Sequence, residues 1–379
     1  MNFQFTEEQE MMRKMTRDFV DNEVVPYAGE WDKNNHFPQD VVDKMFELGL
    51  TTVGVPAEYG GAGLDHVAQN LVMEEIARGD AGLATTVCAS TLLAADPVLI
   101  AATHEQKKWW YGMQNEGALA AFCLTEPGAG SDAAGLSMKC VKDGDYYILN
   151  GTKQFISNGG VAQLYTVFAT LDKKLGAKGI CCFMVDRNTP GITVGPKEDK
   201  LGIRSSNTTS VIFEDVRVPA KNLLGAEGEG FKIAMKTLDL SRASVAAMAV
   251  GICQASLEAS VKYAKERMQF GKPIAAFQGI QFILADMAQY TQAARLLYLE
   301  ASSKQDMGLP FTQIASLAKC FAGDAAMKIA TDAVQVFGGY GYTKEYPVEK
   351  YFRDAKIMQI FEGTAQIQRI VIANDLLRG

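Results

Sequence analysis

Histidine and paired cysteine are scarce in this sequence. It has only three histidines among 379 residues, and none of its seven cysteines belongs to a CxxC pair. No HExxH or similarly spaced ligand pair occurs, so the pattern disfavours both a metal site and histidine-based catalysis. The odd number of scattered cysteines argues against a disulfide framework and favours a reducing, cytoplasmic location.

An excess of positive charge is also missing. The net charge is −7 and the sequence pI is about 5.2, which disfavours broad contact with nucleic acid. The acidic N-terminus lacks the apolar run of a signal peptide. The most apolar stretch, residues 81–102, is broken by Asp96 and Pro97. We therefore expect a buried helix or helix pair there and no membrane span.

The sequence is ordinary in hydrophobic content and long enough for two or three domains. Residues 1–118 show the apolar periodicity of helices, and Thr6 and Gln9 have the spacing of a capping box at the first helix start. Residues 119–228 contain six to eight short β-type runs between turn residues, which predicts an antiparallel barrel or sandwich. Residues 229–379 contain four long helical runs, near 230–267, 276–305, 311–337 and 363–377, which predict a four-helix bundle. The expected fold class is a multidomain α and β protein in the order helical domain, β domain, helical bundle.

The first unusual segment is FCLTEPGAGSD at residues 122–132. Its small residues would let backbone N–H groups approach an anion, with the hydroxyls of Thr125 and Ser131 as further donors. It matches neither GxGxxG nor a P-loop. Taken alone, it is more simply a tight turn.

The second segment is FISNGG at residues 155–160. Phe155 beside small hydroxyl and amide groups could stack on a planar ring and bond to it. The simpler interpretation is a strand that ends in a glycine turn.

Two further segments lie near the ends of predicted helices. Arg267, in RMQFGKP, could bind a phosphate through its planar guanidinium group. A helix that simply ends in basic residues would have the same composition. Glycines 338 and 339 follow Gln335 and leave backbone free for a ligand, whereas a structural cap would need only one of them.

The last segment is FEGTAQIQ at residues 361–368. A glutamate beside apolar groups has a raised pKa, which would suit Glu362 to act as a base. A glutamate that merely complements a helix N-terminus is the plainer alternative.

In this order and at these separations, the segments resemble the acyl-CoA dehydrogenase family over essentially the whole chain. Two of them are highly specific: CLTEPGAGSDAAG at residues 123–135 and QVFGGYGYTKEYPVEKYFRD at residues 335–354. The resemblance implies the same three-domain fold, with FAD between the β domain and the C-terminal helices. It also implies a homo-oligomer, most often a tetramer, in which part of each FAD site comes from a neighbouring subunit.

The resemblance implies a set of FAD contacts. Those along the flavin and pyrophosphate are Phe122, Leu124, Thr125, Gly130 and Ser131. Those that flank the isoalloxazine ring are Phe155, Ile156 and Ser157. Those that reach the FAD of a neighbouring subunit are Arg267, Phe270, Phe277, Gln278, Gln335, Gly338 and Gly339. Those near the adenosine are Thr364 and Gln366.

Glu362 matches the catalytic base of the family. In some relatives the base instead precedes the arginine of a D-x-E-R segment, but here that position is Ser241, which cannot serve. Asp239 and Arg242 match residues that hold the CoA portion, and Ser131 and Gly363 match positions near the substrate. The implied reaction interconverts an acyl-CoA and its trans-2,3-enoyl-CoA by α-proton abstraction and β-hydride transfer to flavin.

Several functions remain open at this point. The leading expectation is a dehydrogenase that exchanges electrons with an electron-transfer flavoprotein. A close alternative is an enoyl-CoA reductase for crotonyl- or aryl-propenoyl-CoA, which works within a complex with that flavoprotein. A non-catalytic flavoprotein scaffold and an oxidase that uses oxygen are less favoured.

Overall fold

The computed structural model describes residues 4–378, and it begins with a helical region. The N-terminal helices are α1 (Glu7–Glu23), α2 (Ala28–Asn34), α3 (Gln39–Glu47), α4 (His66–Gly79), α5 (Ala81–Cys88), α6 (Asp96–Ala101) and α7 (His104–Asn115). Helix α1 starts with the predicted capping box, in which the side chains of Thr6 and Gln9 each accept from the backbone of the other. This exchange satisfies two amides that a helix start leaves unpaired.

The apolar stretch after α4 is a broken helix, as predicted. Helix α5 ends at Cys88, a five-residue π-helical turn follows at Ala89–Leu93, and α6 begins at Asp96. By length and composition alone, Ala81–Ala101 and the long helix Gly230–Glu266 could each cross a membrane. In the most apolar window of each, 78% and 72% of the residues are buried inside the protein.

The middle region forms one eight-stranded sheet. Its strands are β1 (Ala120–Cys123), β2 (Lys139–Asp143), β3 (Tyr146–Ser157), β4 (Leu164–Thr170), β5 (Ile180–Asp186), β6 (Ile192–Val194), β7 (Thr208–Pro219) and β8 (Leu223–Leu224). They are ordered β6-β7-β3-β2-β4-β5-β8, with β1 beside β4. Most neighbours are antiparallel, as predicted, but β1 and β2 are each parallel to β4. The chain between β1 and β4 includes a complete hairpin, which is long enough for the crossover that parallel strands need.

The C-terminal region contains the predicted bundle and two elements that the sequence did not indicate. Its elements are α8 (Gly230–Glu266), the hairpin strands β9 (Met268–Gln269) and β10 (Lys272–Pro273), α9 (Gln278–Asp306), α10 (Thr312–Phe337), α11 (Val348–Ala355) and α12 (Ala365–Leu377). The unpredicted elements are the hairpin and α11. Helix α8 is central, because it packs against α4, α9 and α10.

Candidate active site

Glu362 lies in a short loop between two helical segments, just before α12. Its backbone φ is +50°, a conformation that residues other than glycine rarely adopt, and Gly363 follows at φ +86°. Thr364 then caps α12 by accepting a hydrogen bond from the Ile367 N–H over 3.2 Å. Left-handed backbone at a non-glycine residue costs free energy and is concentrated at functional sites. The loop therefore fixes the direction of the Glu362 side chain.

The half-buried Glu362 contacts two hydrogen-bond donors on separate helices. Ser241 Oγ on α8 donates to Glu362 Oε2 over 2.7 Å, and Cys88 Sγ at the end of α5 lies 3.8 Å from Oε1. Burial raises the pKa of Glu362 to about 7, although Ser241 and the cations Lys319 and Arg242 oppose the shift. A carboxyl with this pKa exchanges a proton readily at neutral pH.

Two buried side chains from the bundle hold the Glu362 loop. Lys319 on α10, only 1% exposed, donates from Nζ to the Gly363 carbonyl over 2.7 Å. Gln368 on α12 donates to the carbonyls of Glu362 and Gly363, each over 3.1 Å. Burial lowers the pKa of Lys319 to about 8. Sequence reasoning missed Lys319, although its place among the buried alanines 315, 318 and 322 on one helix face was a usable signal.

The predicted CoA-binding pair does come together next to this site. Arg242, which is buried, donates to the Asp239 carboxylate and to Ser316 Oγ, the latter over 3.2 Å. Thr312 Oγ1 donates to the other Asp239 oxygen over 3.0 Å. Arg242 Nε is buried and has no hydrogen-bond partner within residues 4–378.

The predicted flavin segments lie side by side in the β region. Gln154 N–H donates to the Thr125 carbonyl over 2.9 Å, and buried Lys153 donates to the Leu124 carbonyl over 3.0 Å. Lys153 also forms a buried ion pair with Glu126 at 2.8 Å. The Glu126 carboxylate in turn accepts from the backbone N–H groups of residues 137 and 138. This network positions the 124–131 loop against the end of β3.

The loop has room for a ligand. A Cβ added at Gly128 or Gly130 would meet no atom within 4 Å, so the packing of the chain itself does not require glycine there. Phe155, at a register shift in β3, has φ +57° and is 64% exposed. Its aromatic face is thus available to a planar ring. Ile156 next to it is buried, while Ser157 is half-buried.

The remaining predicted FAD contacts gather elsewhere on the subunit. Arg267, Gly338 and Gly339 line one cleft of about 580 Å³, and the Arg267 guanidinium lies 5.2 Å from the centre of the Tyr340 ring. The β9–β10 hairpin projects Phe270 at its tip, 91% exposed and 5.8 Å from the Phe277 ring. The other members of this group, Gln278 and Gln335, are exposed at helix ends.

The predicted site residues thus occupy three places in the subunit. Glu362, Gly363 and Thr364 adjoin Arg242 and Asp239, with the exposed Gln366 in the first turn of α12. Residues 122–131 adjoin residues 153–157. The Arg267 group is a third set. No hydrogen bond or ion pair between side chains of residues 4–378 joins it to either of the others.

The chain is similar to known proteins over its whole length. Models of the N-terminal, middle and C-terminal domains of acyl-CoA dehydrogenase match residues 6–117, 121–216 and 228–377. An acyl-CoA dehydrogenase of Bacillus subtilis (strain 168) is 49% identical over 99% of both chains. Butyryl-CoA dehydrogenase of Megasphaera elsdenii is 46% identical, with a TM-score of 0.98 over 100% of both chains.

Two further solved structures bear on the cofactor and on electron transfer. One comes from a study of the electron transferring flavoprotein of Acidaminococcus fermentans and of flavin-based electron bifurcation. It is 47% identical, with a TM-score of 0.98 over 100% of both chains. The other is an acyl-CoA dehydrogenase of Bacillus anthracis complexed with FAD. It is 35% identical, with a TM-score of 0.93 over 99% of this chain and 67% of that one.

The fold and the family models define an FAD-dependent oxidoreductase that acts on CH–CH bonds. Within that class, the chain belongs to the acyl-CoA dehydrogenase family, whose models cover nearly all of it. The open 124–131 loop and the exposed ring of Phe155 fit an FAD at the β domain. FAD, when bound, provides the acceptor or donor of the hydride.

Proposed function

We propose that this protein interconverts an acyl-CoA and its trans-2,3-enoyl-CoA, with Glu362 as the base. The observation that carries the proposal is the Glu362 carboxyl, which has a pKa of about 7 and is held by Ser241 and Cys88 at a strained backbone position. A carboxyl with this pKa is divided between its two protonation states at neutral pH. It can therefore take the α-proton in one direction and return it in the other.

The α-proton of a thioester is only weakly acidic, so negative charge on the thioester oxygen must be stabilised as the proton leaves. The Glu362 N–H makes no hydrogen bond within residues 4–378, which leaves it free to donate to that oxygen. Lys319 and Gln368 keep this amide in place through the adjacent carbonyls. Such a donor is worth about 3–4 kcal/mol in the transition state.

The CoA portion is assigned to Asp239 and Arg242. The guanidinium is buried, oriented by Asp239 and Ser316, and keeps its Nε without a partner. A positioned, desolvated cation of this kind suits an anionic or carbonyl-rich ligand. Ser131, on the exposed face of the 124–131 loop, is assigned to a place between cofactor and substrate.

Electron exchange with an electron-transfer flavoprotein is part of the proposal. The similarity to the chain from the Acidaminococcus fermentans study supports it. It supports equally an enoyl-CoA reductase that works in the reductive direction, on crotonyl- or aryl-propenoyl-CoA, within a complex with that flavoprotein. We further propose a cytoplasmic homotetramer, in which the Arg267 cleft and the exposed Phe270 hairpin complete a site on a neighbouring subunit.

Anaerobic titration of the FAD-loaded protein with acyl-CoA and enoyl-CoA esters tests the reaction. Acyl-CoA esters that are substrates should bleach the oxidised flavin band, and enoyl-CoA esters should restore it after chemical reduction. Glu362→Gln should keep FAD but slow bleaching roughly 10²–10⁴-fold, the usual contribution of a general base. Exposed Glu47→Gln is the matched control and should leave the rate unchanged. Undiminished bleaching in Glu362→Gln would remove Glu362 from the base role.

A further inference from the structure

The side chain of Asn158, just after the end of β3, joins three distant parts of the chain. Asn158 is fully buried, and its Nδ2 donates to the Thr86 carbonyl on α5 over 2.8 Å and to the Ala120 carbonyl on β1 over 3.1 Å. Both neighbours are hydrogen-bond acceptors, so only the NH2 end of the amide can face them. The proposed reaction does not use this side chain.

The turn at Asn158 does not need this side chain. The backbone φ of Asn158 is +63°, which asparagine tolerates and glycine adopts more readily. Its N–H donates to the Asn207 carbonyl over 2.7 Å, and its carbonyl accepts from the N–H groups of Val161 and Ala162 over 3.0 and 2.8 Å. An asparagine in a turn usually bonds nearby backbone, whereas here both acceptors of the side chain are at least 38 residues away. The amide therefore serves long-range contacts, and the backbone alone closes the turn.

On one side, the amide holds the helix that contacts the base. Thr86 lies in the last turn of α5, which ends at Cys88. Cys88 Sγ is 3.8 Å from Glu362 Oε1. A displacement of this end of α5 would therefore change the contact with the carboxyl that the proposed reaction uses as its base.

On the other side, the amide holds the strands that carry the predicted flavin segments. Asn158 directly follows Ser157 at the end of β3, and Ala120 begins β1, which leads to Phe122. Strand β1 pairs with β4 alone among the strands of residues 4–378. At its other edge, the Ala120 N–H donates over 2.9 Å to Oγ of Ser90, a fully buried residue in the π-helical turn after α5. Two buried side chains thus link β1 to the segment formed by α5 and this turn.

We propose that Asn158 is a positioning residue, whose buried amide fixes the spacing between the predicted flavin-binding strands and the helix that contacts Glu362. This inference rests on the proposed function, in which one acyl group must reach the base and the cofactor at the same time. The rate of such a reaction depends steeply on spacing, and an error of about 1 Å can cost on the order of 10²-fold. The residues assigned to the CoA portion, Asp239 and Arg242, lie on α8 and are not part of this link. Loss of the link should therefore affect the reaction of bound substrate more than its binding.

The test removes the side chain and leaves the turn in place. Asn158→Gly keeps the positive φ without strain and deletes both bonds to the carbonyls. The probe is the acyl-CoA ester that bleaches the flavin of the FAD-loaded wild type fastest. We expect flavin reduction at saturating ester to slow by roughly 10²-fold, while the ester concentration at half-saturation changes by less than about threefold. Hydrogen–deuterium exchange of the loaded protein, which does not depend on turnover, should become faster in peptides that cover residues 81–93 and 118–124.

Two matched variants separate the link from the turn. Asn35→Gly replaces another asparagine with positive φ, +51°, at the end of α2, and should leave both rate and exchange unchanged. Asn207→Ala removes a side-chain bond to the Gly160 N–H in the same turn but neither bond from Asn158 to the carbonyls, so its rate should stay close to wild type. FAD content is measured for every variant, so that rates refer to loaded enzyme.

Ser90→Ala breaks the second bond across the same contact and should slow flavin reduction by about tenfold. If Asn158→Gly retained no FAD, Ser90→Ala would carry the test, and a wild-type rate there would overturn the inference. A wild-type rate in Asn158→Gly, an equal loss in Asn207→Ala, or slower reduction without faster exchange would each overturn it too, while leaving the proposed function intact. If no thioester altered the flavin of the wild type, the proposed function itself would fail.

Discussion

At the scale of single residues, the reactivity of the site is set by what surrounds one carboxyl. Burial raises the pKa of Glu362, whereas Ser241, Lys319, Cys88 and Arg242 lower it. The value of about 7 is thus a balance between desolvation and four neighbours. Replacing any one of them should change the pH at which the base works.

Removing the Ser241 hydroxyl should move the pH profile upward. The base must be ionised to take a proton, so kcat/KM for acyl-CoA oxidation should rise with pH through about 7. Because the Ser241 hydrogen bond favours the ionised form, Ser241→Ala should shift that rise to higher pH. Ser256→Ala is the control, since Ser256 is buried in the same helix with an unpartnered hydroxyl. An unchanged midpoint in Ser241→Ala would contradict this electrostatic account.

Lys319 should matter for rate more than for cofactor binding. Lys319→Met removes the bond to the Gly363 carbonyl and lets the strained loop relax. Displacement of a base by about 1 Å can cost on the order of 10²-fold in rate. We expect single-turnover flavin reduction to fall by roughly that factor while FAD content is preserved. Lys328→Met, an exposed lysine on the same helix, is the control and should be close to wild type.

At the scale of elements, the strands and helices present these residues through breaks in regular structure. The register shift in β3 turns Phe155 outward, as β-bulges next to binding sites often do. The π turn separates Cys88 from Asp96. The two-residue hairpin turn at Phe270 and Gly271, with φ positive at both, projects an aromatic ring into solvent.

The crossing of α4 and α8 depends on one glycine. A Cβ at Gly251 would lie 2.4 Å from the Glu74 carbonyl, which is backbone and cannot move aside cheaply. Gly251→Ala should therefore destabilise the protein by about 1–3 kcal/mol, measured by urea unfolding. Gly279→Ala, in α9 with nothing within 4 Å, should be neutral or stabilising by about 0.4–1 kcal/mol. If both variants behaved alike, the close helix crossing would not be a constraint.

At the scale of the whole molecule, buried ion pairs join regions far apart in the chain. Lys350 on α11 forms ion pairs with Asp80, before α5, at 2.9 Å and with Asp354 at 2.6 Å. Asp354 also accepts from the Ile203 N–H, in the β region, over 2.6 Å. One buried cluster therefore ties the helical region, the sheet and the C-terminal helices together.

Breaking this cluster should weaken the whole fold. Lys350→Met leaves two carboxylates buried without their cation, which typically costs about 3–5 kcal/mol. We expect unfolding at a lower urea concentration. The midpoint should fall both for the far-UV circular dichroism signal and for the release of FAD, followed by the loss of its fluorescence quenching. Lys356→Met, an exposed lysine on the next turn, should keep the wild-type midpoint. A similar midpoint in both variants would show that the cluster does not stabilise the assembled domains.

Much of this protein is determined by the sequence itself. Local signals gave the capping box at Thr6, the four bundle helices and the alternation of helix, strand and helix, because caps and hydrophobic periodicity act over a few residues. The segment around Glu362 was identified from its single glutamate beside apolar residues, together with the family resemblance. The domain boundaries at 118 and 228 and the individual cofactor contacts remain predictions.

Only the tertiary structure decided which side chains surround the base. Cys88, Ser241 and Lys319 are far from Glu362 in sequence. Lys319 is buried because it lies on the face of α10 that packs inside the protein, and a lysine on the opposite face would be solvated. The parallel pairing of β1 with β4 likewise depends on packing and not on the composition of either strand. The raised pKa of Glu362 arises from desolvation, and burial is a property of the folded chain that no short segment specifies.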